Sequence, residues 1–420
     1  MKPSIKQLTE KYTADMISLR RTLHQYPELS GEEWQTSRKI QEKLQSLGIP
    51  YTTGYAKTGV LGVIEGGRPG KTVALRADID ALPIQEENDH PYVSKVKGRM
   101  HACGHDAHTA MLVGVGAVLN EVKDELPGRV LLVFQPAEEN APVGGSEPMM
   151  ADGVFEQYEP DVIFGQHVWP DLPVGQIGVR AGAMMGASDR FKVVIEGAGG
   201  HASMPHQTTD AIMVAHTVIS NLQTIVSRNI DPLDAAVLTV GRIEGGSRYN
   251  VIADKVTFEG TIRTFQPETR QLMKERFHAV VTQGAAAMGA VAHIDYWQGY
   301  AATINTPRWA NQVQQTAQNM LGPASTPAVQ PSLGGEDFSR FLMKYPGAFF
   351  WLGTALPGVE QQKPLHDAQF RLDEEALPVG MSLMAQTAVD TLYALEKEDK
   401  EEKEEKEDKE GEIEKWELAK

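Results

Sequence analysis

Apolar residues recur at helical spacing from Ile5 to His24, and again through GEEWQTSRKIQEKLQSLG. This pattern predicts two helices, the second with Ser30 as its N-cap. The texture then shortens. GVLGVIEG, KTVALRADID, GRVLLVFQPAEE and DVIFGQHVWP are β-rich runs bounded by glycines or turn residues, and they predict strands. The last three end in polar side chains: Asp78 and Asp80, Glu138 and Glu139, and His167. Between Cys103 and Val122 the pattern predicts a helix that separates consecutive strands, as in a βαβ unit. In open α/β sheets ligands collect beyond the carboxyl ends of the strands, which is where those polar residues fall.

From about Met184 the order becomes strand (DRFKVVIEG), helix (DAIMVAHTVISNLQTIV), two strands (AAVLTVGRIEGG and DKVTFEGTIRTF), helix and strand (AVAHIDYW). That order suggests a ferredoxin-like insert. After Pro307 the segments GGEDFS, GAFFWLG and PLHDAQF lead back to the first sheet, and a final helix is predicted at about Glu374 to Leu395. The expected fold is α/β: a central mixed β-sheet flanked by helices over residues 1–183 and 298–395, interrupted by an α+β insert at 184–297. The charged tail, 396–420, lacks an apolar stripe and is expected as a solvated helix extension or as disorder.

Composition narrows the functional classes. With 41% hydrophobic and 23% charged residues in 420, the chain has the make-up of a soluble enzyme of two folded units. No run is long and apolar enough for a bilayer, and the polar N-terminus is unlike a secretory signal, so a cytoplasmic protein is expected. A net charge of -16 argues against nucleic acid or an anionic membrane as partner. The single cysteine, Cys103, excludes an internal disulfide and leaves metal binding or nucleophilic chemistry as its possible tasks.

Chemistry concentrates in MHACGHDAH, where His101, Cys103, His105, Asp106 and His108 lie within a few positions. Thiolate and imidazole suit zinc, cobalt, nickel or manganese, and Cys103 and His105 can converge from one loop around Gly104. Glu138 and Glu139 are adjacent, so on extended backbone one carboxylate can bind metal while the other stays free as a base. His167 and His366 complete an inventory of five ligands and one spare carboxylate, that of a two-metal hydrolytic site.

In their order and intervals RADIDALP, MHACGHDAH, QPAEE, GQHVWP, GGHASMPH, NVIAD, GGEDFS and LHDAQF resemble the metallopeptidase family that includes aminoacylase and glutamate carboxypeptidase. More narrowly, they resemble its branch of hippurate hydrolase, bacterial N-acyl-amino-acid amidohydrolases and plant auxin-conjugate hydrolases. The resemblance implies hydrolysis of the amide bond of N-acyl-L-amino acids or short peptides by two divalent metal ions, zinc being the first expectation. It puts Cys103 in the bridging position, with His105, Glu139, His167 and His366 completing the metal shells and Glu138 as general base. Where many relatives have His-x-Asp this chain has Asp78-Ile79-Asp80, so His105 takes the missing ligand's place and Asp80 orients a ligand imidazole. His201, on an insert acting as lid and dimerisation domain, is implied to stabilise the oxyanion in the partner's active site, which makes the protein a homodimer or a dimer-based tetramer. Asn250 and Arg263 resemble the pair that binds the substrate carboxylate, with Ala253 where a proline is common. Gly334 and Gly335 allow the backbone to approach substrate.

Two other classes remain open on the residues alone. A cysteine-nucleophile hydrolase would use Cys103 with a nearby His and would ignore chelators. A non-catalytic module would keep the fold for recognition of peptides or acyl-amino acids.

Overall fold

The computed structural model describes residues 4–418, and for residue 403 and residues 405–418 the backbone only. Its centre is a seven-stranded mixed sheet ordered Tyr51–Tyr55, Gly59–Glu65, Pro127–Gln135, Arg68–Asp78, Val162–Pro173, Gly347–Ala355 and Ile177–Gly178. Four adjacent strands, from Pro127–Gln135 to Gly347–Ala355, run parallel, and the edges are antiparallel. Parallel strands need both faces covered, which is why these segments read as unbroken apolar runs. Alternate residues serve two separate cores. Val73, Leu75, Val130 and Leu132 face the layer of helices Ile5–Gln25, His105–Val122 and Ala376–Leu418. Ala74, Leu131, Val133 and Ile163 face Phe338, Phe341 and Phe349 on the opposite side. Each fully buried Leu, Val or Phe contributes roughly 1.5–3 kcal/mol.

The segment from Ala187 to Gln298 forms a four-stranded antiparallel sheet, ordered Ala236–Gly245, Lys255–Thr264, Ala187–Glu196, Val291–Gln298. In chain order this is 2-3-1-4, the ferredoxin-like arrangement expected from the sequence. Phe191, Val193 and Ile195 alternate toward the helices Ala211–Asn229 and Pro267–Ala287, meeting Val214, Val218, Phe277 and Val281.

Two expectations are corrected, and one left open is decided. The second helix starts at Trp34, with Glu33 at its cap and no side-chain capping bond. Ser30 instead gives its hydroxyl to Asp80 Oδ2 at 2.6 Å, so it supports the site and not the helix end. The strand containing His167 continues to Pro173, because His167 pairs with Trp351 well inside the parallel ladder. The last helix continues past Leu395, running from Ala376 to Leu418, which is the helix extension expected as one alternative for the tail. Arg68 grips Glu396 through two bonds, at 2.8 and 3.1 Å, and Arg308 and Lys71 pair with Glu398 and Asp399, which anchors the first turns of that extension.

Candidate metal centre

Gly104 makes the turn that begins the site. It sits at φ +84°, and a Cβ there would lie 2.4 Å from Val168 Cγ2, so the loop closes on the sheet only with glycine. The turn aims Cys103 and His105 at the carboxyl ends of the parallel strands. Cys103 Sγ lies 3.4 Å from His167 Nε2 and 3.3 Å from His366 Nε2. Glu139 Oε1 lies 3.1 Å from His366 Nε2 and 4.0 Å from His105 Nε2. Two donors about 2.0–2.3 Å from one tetrahedral cation stand about 3.3–3.8 Å apart, so these separations suit shared ligation.

Hydrogen bonds fix which ring nitrogen each histidine presents. His105 Nδ1 is taken by the Asp80 carbonyl at 3.0 Å and carboxylate at 3.2 Å, and His167 Nδ1 by the Val168 carbonyl at 2.7 Å. Their Nε2 atoms face the cluster. His105 Nε2 is buried there without a hydrogen-bond partner, a costly arrangement that a cation would satisfy. Thiol, imidazoles and carboxylate thus fit a dinuclear divalent site, with Cys103 common to the His105–Glu139 and His167–His366 sides.

The electrostatics agree. Burial disfavours a charged His105, but Asp78, Asp80 and Glu139 outweigh it and push its pKa up to about 10. Burial and the carboxylates Glu139, Glu138 and Asp78 push the Cys103 thiol well up. An activated cysteine nucleophile needs the opposite shift, which counts against that alternative.

His108, though adjacent, is spoken for: Nδ1 lies 2.5 Å from Asp78 Oδ1, and Nε2 accepts from Val168 N at 2.9 Å. His101 is buried with neither ring nitrogen paired, and burial lowers its pKa to about 4. Asp106 turns away to Arg20 and His24, both at 2.8 Å. A further group, His24, Glu86 and His90, is closed on itself, since Glu86 Oε1 lies 3.2 Å from His24 and 3.1 Å from His90 and accepts from Asn88 at 3.0 Å.

Residues 74–390 match the model of peptidase family M20/M25/M40. The chain belongs to this family. It is 43% identical over 386 residues to an N-acetylcysteine deacetylase of Bacillus subtilis, covering 91% of this chain and 98% of that protein. Over 376 residues it is 39% identical to thermostable carboxypeptidase 1 of Saccharolobus solfataricus, 89% of this chain and 94% of the other. Among solved structures, a Bacillus subtilis protein described as a dinuclear metal binding peptidase of the M20 family superposes with a TM-score of 0.79 at 39% identity, covering 91% of this chain and 99% of that one.

In this M20 chain the two adjacent glutamates part. Glu139 joins the donor cluster, while Glu138 Oε1 accepts from Asp337 N at 3.3 Å. Burial, then Glu336, Glu139, Asp337 and Asp80, raise the Glu138 pKa well above its usual range. Beneath it lies a residue the sequence reading passed over. Arg76 is fully buried and reaches Asp78 at 2.7 Å, Glu336 and Asp337 at 2.9 Å each, and Gln135 at 2.8 Å. A lone arginine inside the apolar strand KTVALRADID was the available signal, because a buried guanidinium requires anionic partners.

The expected substrate residues are divided between two places. Arg263 is half-buried next to the site: a Cβ on Gly335 would come 3.4 Å from its Nη1, so the bare glycine leaves the guanidinium room. Burial lowers the Arg263 pKa, and no side chain among the described residues forms an ion pair with it. Gly334 is exposed; its carbonyl accepts from Gly186 N at 2.9 Å and its N–H donates to Ser332 Oγ at 3.1 Å. Asn250 lies beside exposed His201, in the small pairing of Val251 with His201. The strand Lys255–Thr264 separates it from Arg263 by about 25 Å, at about 3.4 Å per residue. Asn250 and Arg263 therefore do not meet within one chain.

Proposed function

We propose that this chain hydrolyses the amide bond of N-acyl-L-amino acids or short peptides, releasing an amino acid and a carboxylic acid, in the cytosol where its lone thiol stays reduced. One observation carries the reading: a five-donor cluster of Cys103, His105, Glu139, His167 and His366, flanked by a carboxylate, Glu138, that takes no part in it. Two divalent cations held by those five residues, zinc first and manganese, cobalt or nickel as alternatives, would polarise the carbonyl and ionise water near neutral pH. Glu138 takes the proton of the attacking water and returns it to the leaving amine, a role its raised proton affinity suits. Asp80 holds the His105 ring by Nδ1. Arg263 offers an unpaired guanidinium to the substrate carboxylate, and Gly335 keeps the approach open.

The test is turnover on acetyl-, benzoyl- and aminoacyl-amino acids, each beside the analogue whose carboxylate is an amide. The acids are cleaved, and the amidated analogues show KM raised at least about tenfold, as loss of a charged hydrogen bond worth about 1.5–3 kcal/mol requires. Equal turnover of both sets removes Arg263 from the reading, and no cleavage of any removes the reading itself.

His201 belongs to the reading only across a dimer. It lies at the Asn250 end of the insert, about the length of the strand Lys255–Thr264 away from Arg263. Its Nδ1 accepts from Ser203 N at 3.2 Å with the Ser203 hydroxyl at 2.8 Å, which leaves Nε2–H as a donor for an oxyanion. Apolar side chains near it, Met204, Ile212, Met213 and Val251, are exposed, as a face awaiting a second copy would be. Mixed after joint unfolding and refolding, the inactive variants His201→Ala and Glu138→Gln should regain about a quarter of wild-type activity, since half the dimers are hybrid and each has one complete site. No recovery would place His201 outside catalysis in trans.

A further inference from the structure

The tripeptide that carries the proposed base is held in an unusual backbone shape. Ala137 sits at φ +57°, a left-handed conformation that costs a non-glycine residue about 1–2 kcal/mol. Three bonds maintain it. Ala137 N donates to Glu33 Oε1 at 2.9 Å, Glu139 N donates to Asp80 Oδ2 at 3.0 Å, and the carbonyl of Glu138 accepts from the Tyr300 hydroxyl at 2.5 Å. The first two fix the residues on either side. The third acts on the main chain of Glu138 itself, whose side chain separately accepts from Asp337 N.

Tyr300 comes from elsewhere in the fold. It follows the last strand of the insert, where the chain returns to the central sheet, and it is 3% exposed. Its own carbonyl accepts from Ser188 N at 3.0 Å, on the strand by which the chain enters the insert. The neighbouring Gly299 N donates to Asp189 Oδ1 at 3.2 Å, and Gly299 O accepts from Arg340 at 3.1 Å. The two crossings into and out of the insert are thus stitched together, and one phenol extends from that knot to the base. Burial and the carboxylates Asp337, Glu138 and Glu336 push the phenol pKa far up, so the hydroxyl remains a donor throughout the working range.

Resting on the proposed role of Glu138, we infer that Tyr300 is a positioning residue: its hydroxyl fixes the main chain of the base and ties it to the crossing of the insert. Any swing of the insert about that crossing is transmitted to Glu138. The carboxylate that must meet the attacking water is thereby set by the same contact that anchors the lid.

The experiment compares Tyr300→Phe, Glu138→Gln and the double variant in the metal-loaded full-length protein. Tyr300→Phe keeps the ring and loses one bond, so the expected result is a kcat lowered about 10- to 100-fold with KM and metal content unchanged, in keeping with the cost of small misplacements at a reacting centre. In the Glu138→Gln background the same change should have no further effect, because a group acting through the base has nothing left to position. Tyr296→Phe, which removes a phenol bound to Asp189 at the same crossing, should leave kcat unaltered. A Tyr300→Phe kcat equal to wild type, a loss that multiplies in the Glu138→Gln background, or a loss tracking released metal would each overturn the inference while leaving the proposed function standing. Full activity in Glu138→Gln would overturn both.

Discussion

Glu138→Gln should lower kcat by about 10³-fold while KM and bound metal stay at wild-type values, within the 10²–10⁴ range of general-base deletions. The amide keeps the shape of the side chain and an oxygen able to accept from Asp337 N. What it cannot do is take a proton. Glu139, turned toward Cys103 and His366, is untouched, so metal retention separates this variant from any that damages the donor cluster. The same substitution should stabilise the metal-free protein. Burial and the surrounding carboxylates raise the folded-state pKa of Glu138 above its ordinary value of 4.5, so the folded chain binds the proton more tightly than the unfolded one. Stability is then fullest below about pH 4.5 and falls as pH rises through the folded value. Glutamine has no charge to desolvate. Thermal melts of metal-free wild type and variant should coincide at low pH and diverge at neutrality, the variant melting higher. A wild type at least as stable at every pH, or a variant with undiminished kcat, contradicts the assignment.

The sequence exposed this site unevenly, for physical reasons. Strand and helix identities were plain, because the parallel strands are buried on both faces and the insert's Phe191, Val193 and Ile195 alternate strictly. The donors were also legible, since a thiol, imidazoles and paired carboxylates at strand ends carry their chemistry in their residue types. The groups that orient them were not. Glu33 occupies a helix cap and Ser30 looked like one, yet both turn their side chains to the loops around Ala137 and Asp80. Tyr300 lies at a domain crossing that no periodicity marks. Asn250 and Arg263, paired by resemblance alone, lie toward opposite ends of the strand Lys255–Thr264 within one chain, a separation that motif order does not display. Arg76 could have been read, because an arginine within a doubly buried strand forecasts the carboxylates it finds in Asp78, Glu336 and Asp337.

Cys103→Ala should abolish activity and metal binding together, and chelation of the wild type should reproduce both losses. Cys103 is the donor common to the two sides of the cluster, 3.4 Å from His167 and 3.3 Å from His366 across one side and grouped with His105 and Glu139 on the other. Its removal would therefore weaken both proposed cation positions, whereas loss of His366 alone would leave the His105 side its donors. Chelated wild type regains turnover when zinc, manganese, cobalt or nickel is returned; Cys103→Ala does not at the same free concentration. Because a ligand held at about a thousand times its Kd adds about 4 kcal/mol to folding stability, the wild-type melting temperature should drop on chelation and that of the variant should not respond. The thiol's raised pKa sets the pH dependence: metal must displace its proton, so wild-type affinity rises with pH and each binding event releases protons to the medium. A cysteine nucleophile would give the reverse pattern, with activity lost in Cys103→Ala but intact under chelation. Retained metal in Cys103→Ala, measured by elemental analysis, would remove the thiol from the centre of the site.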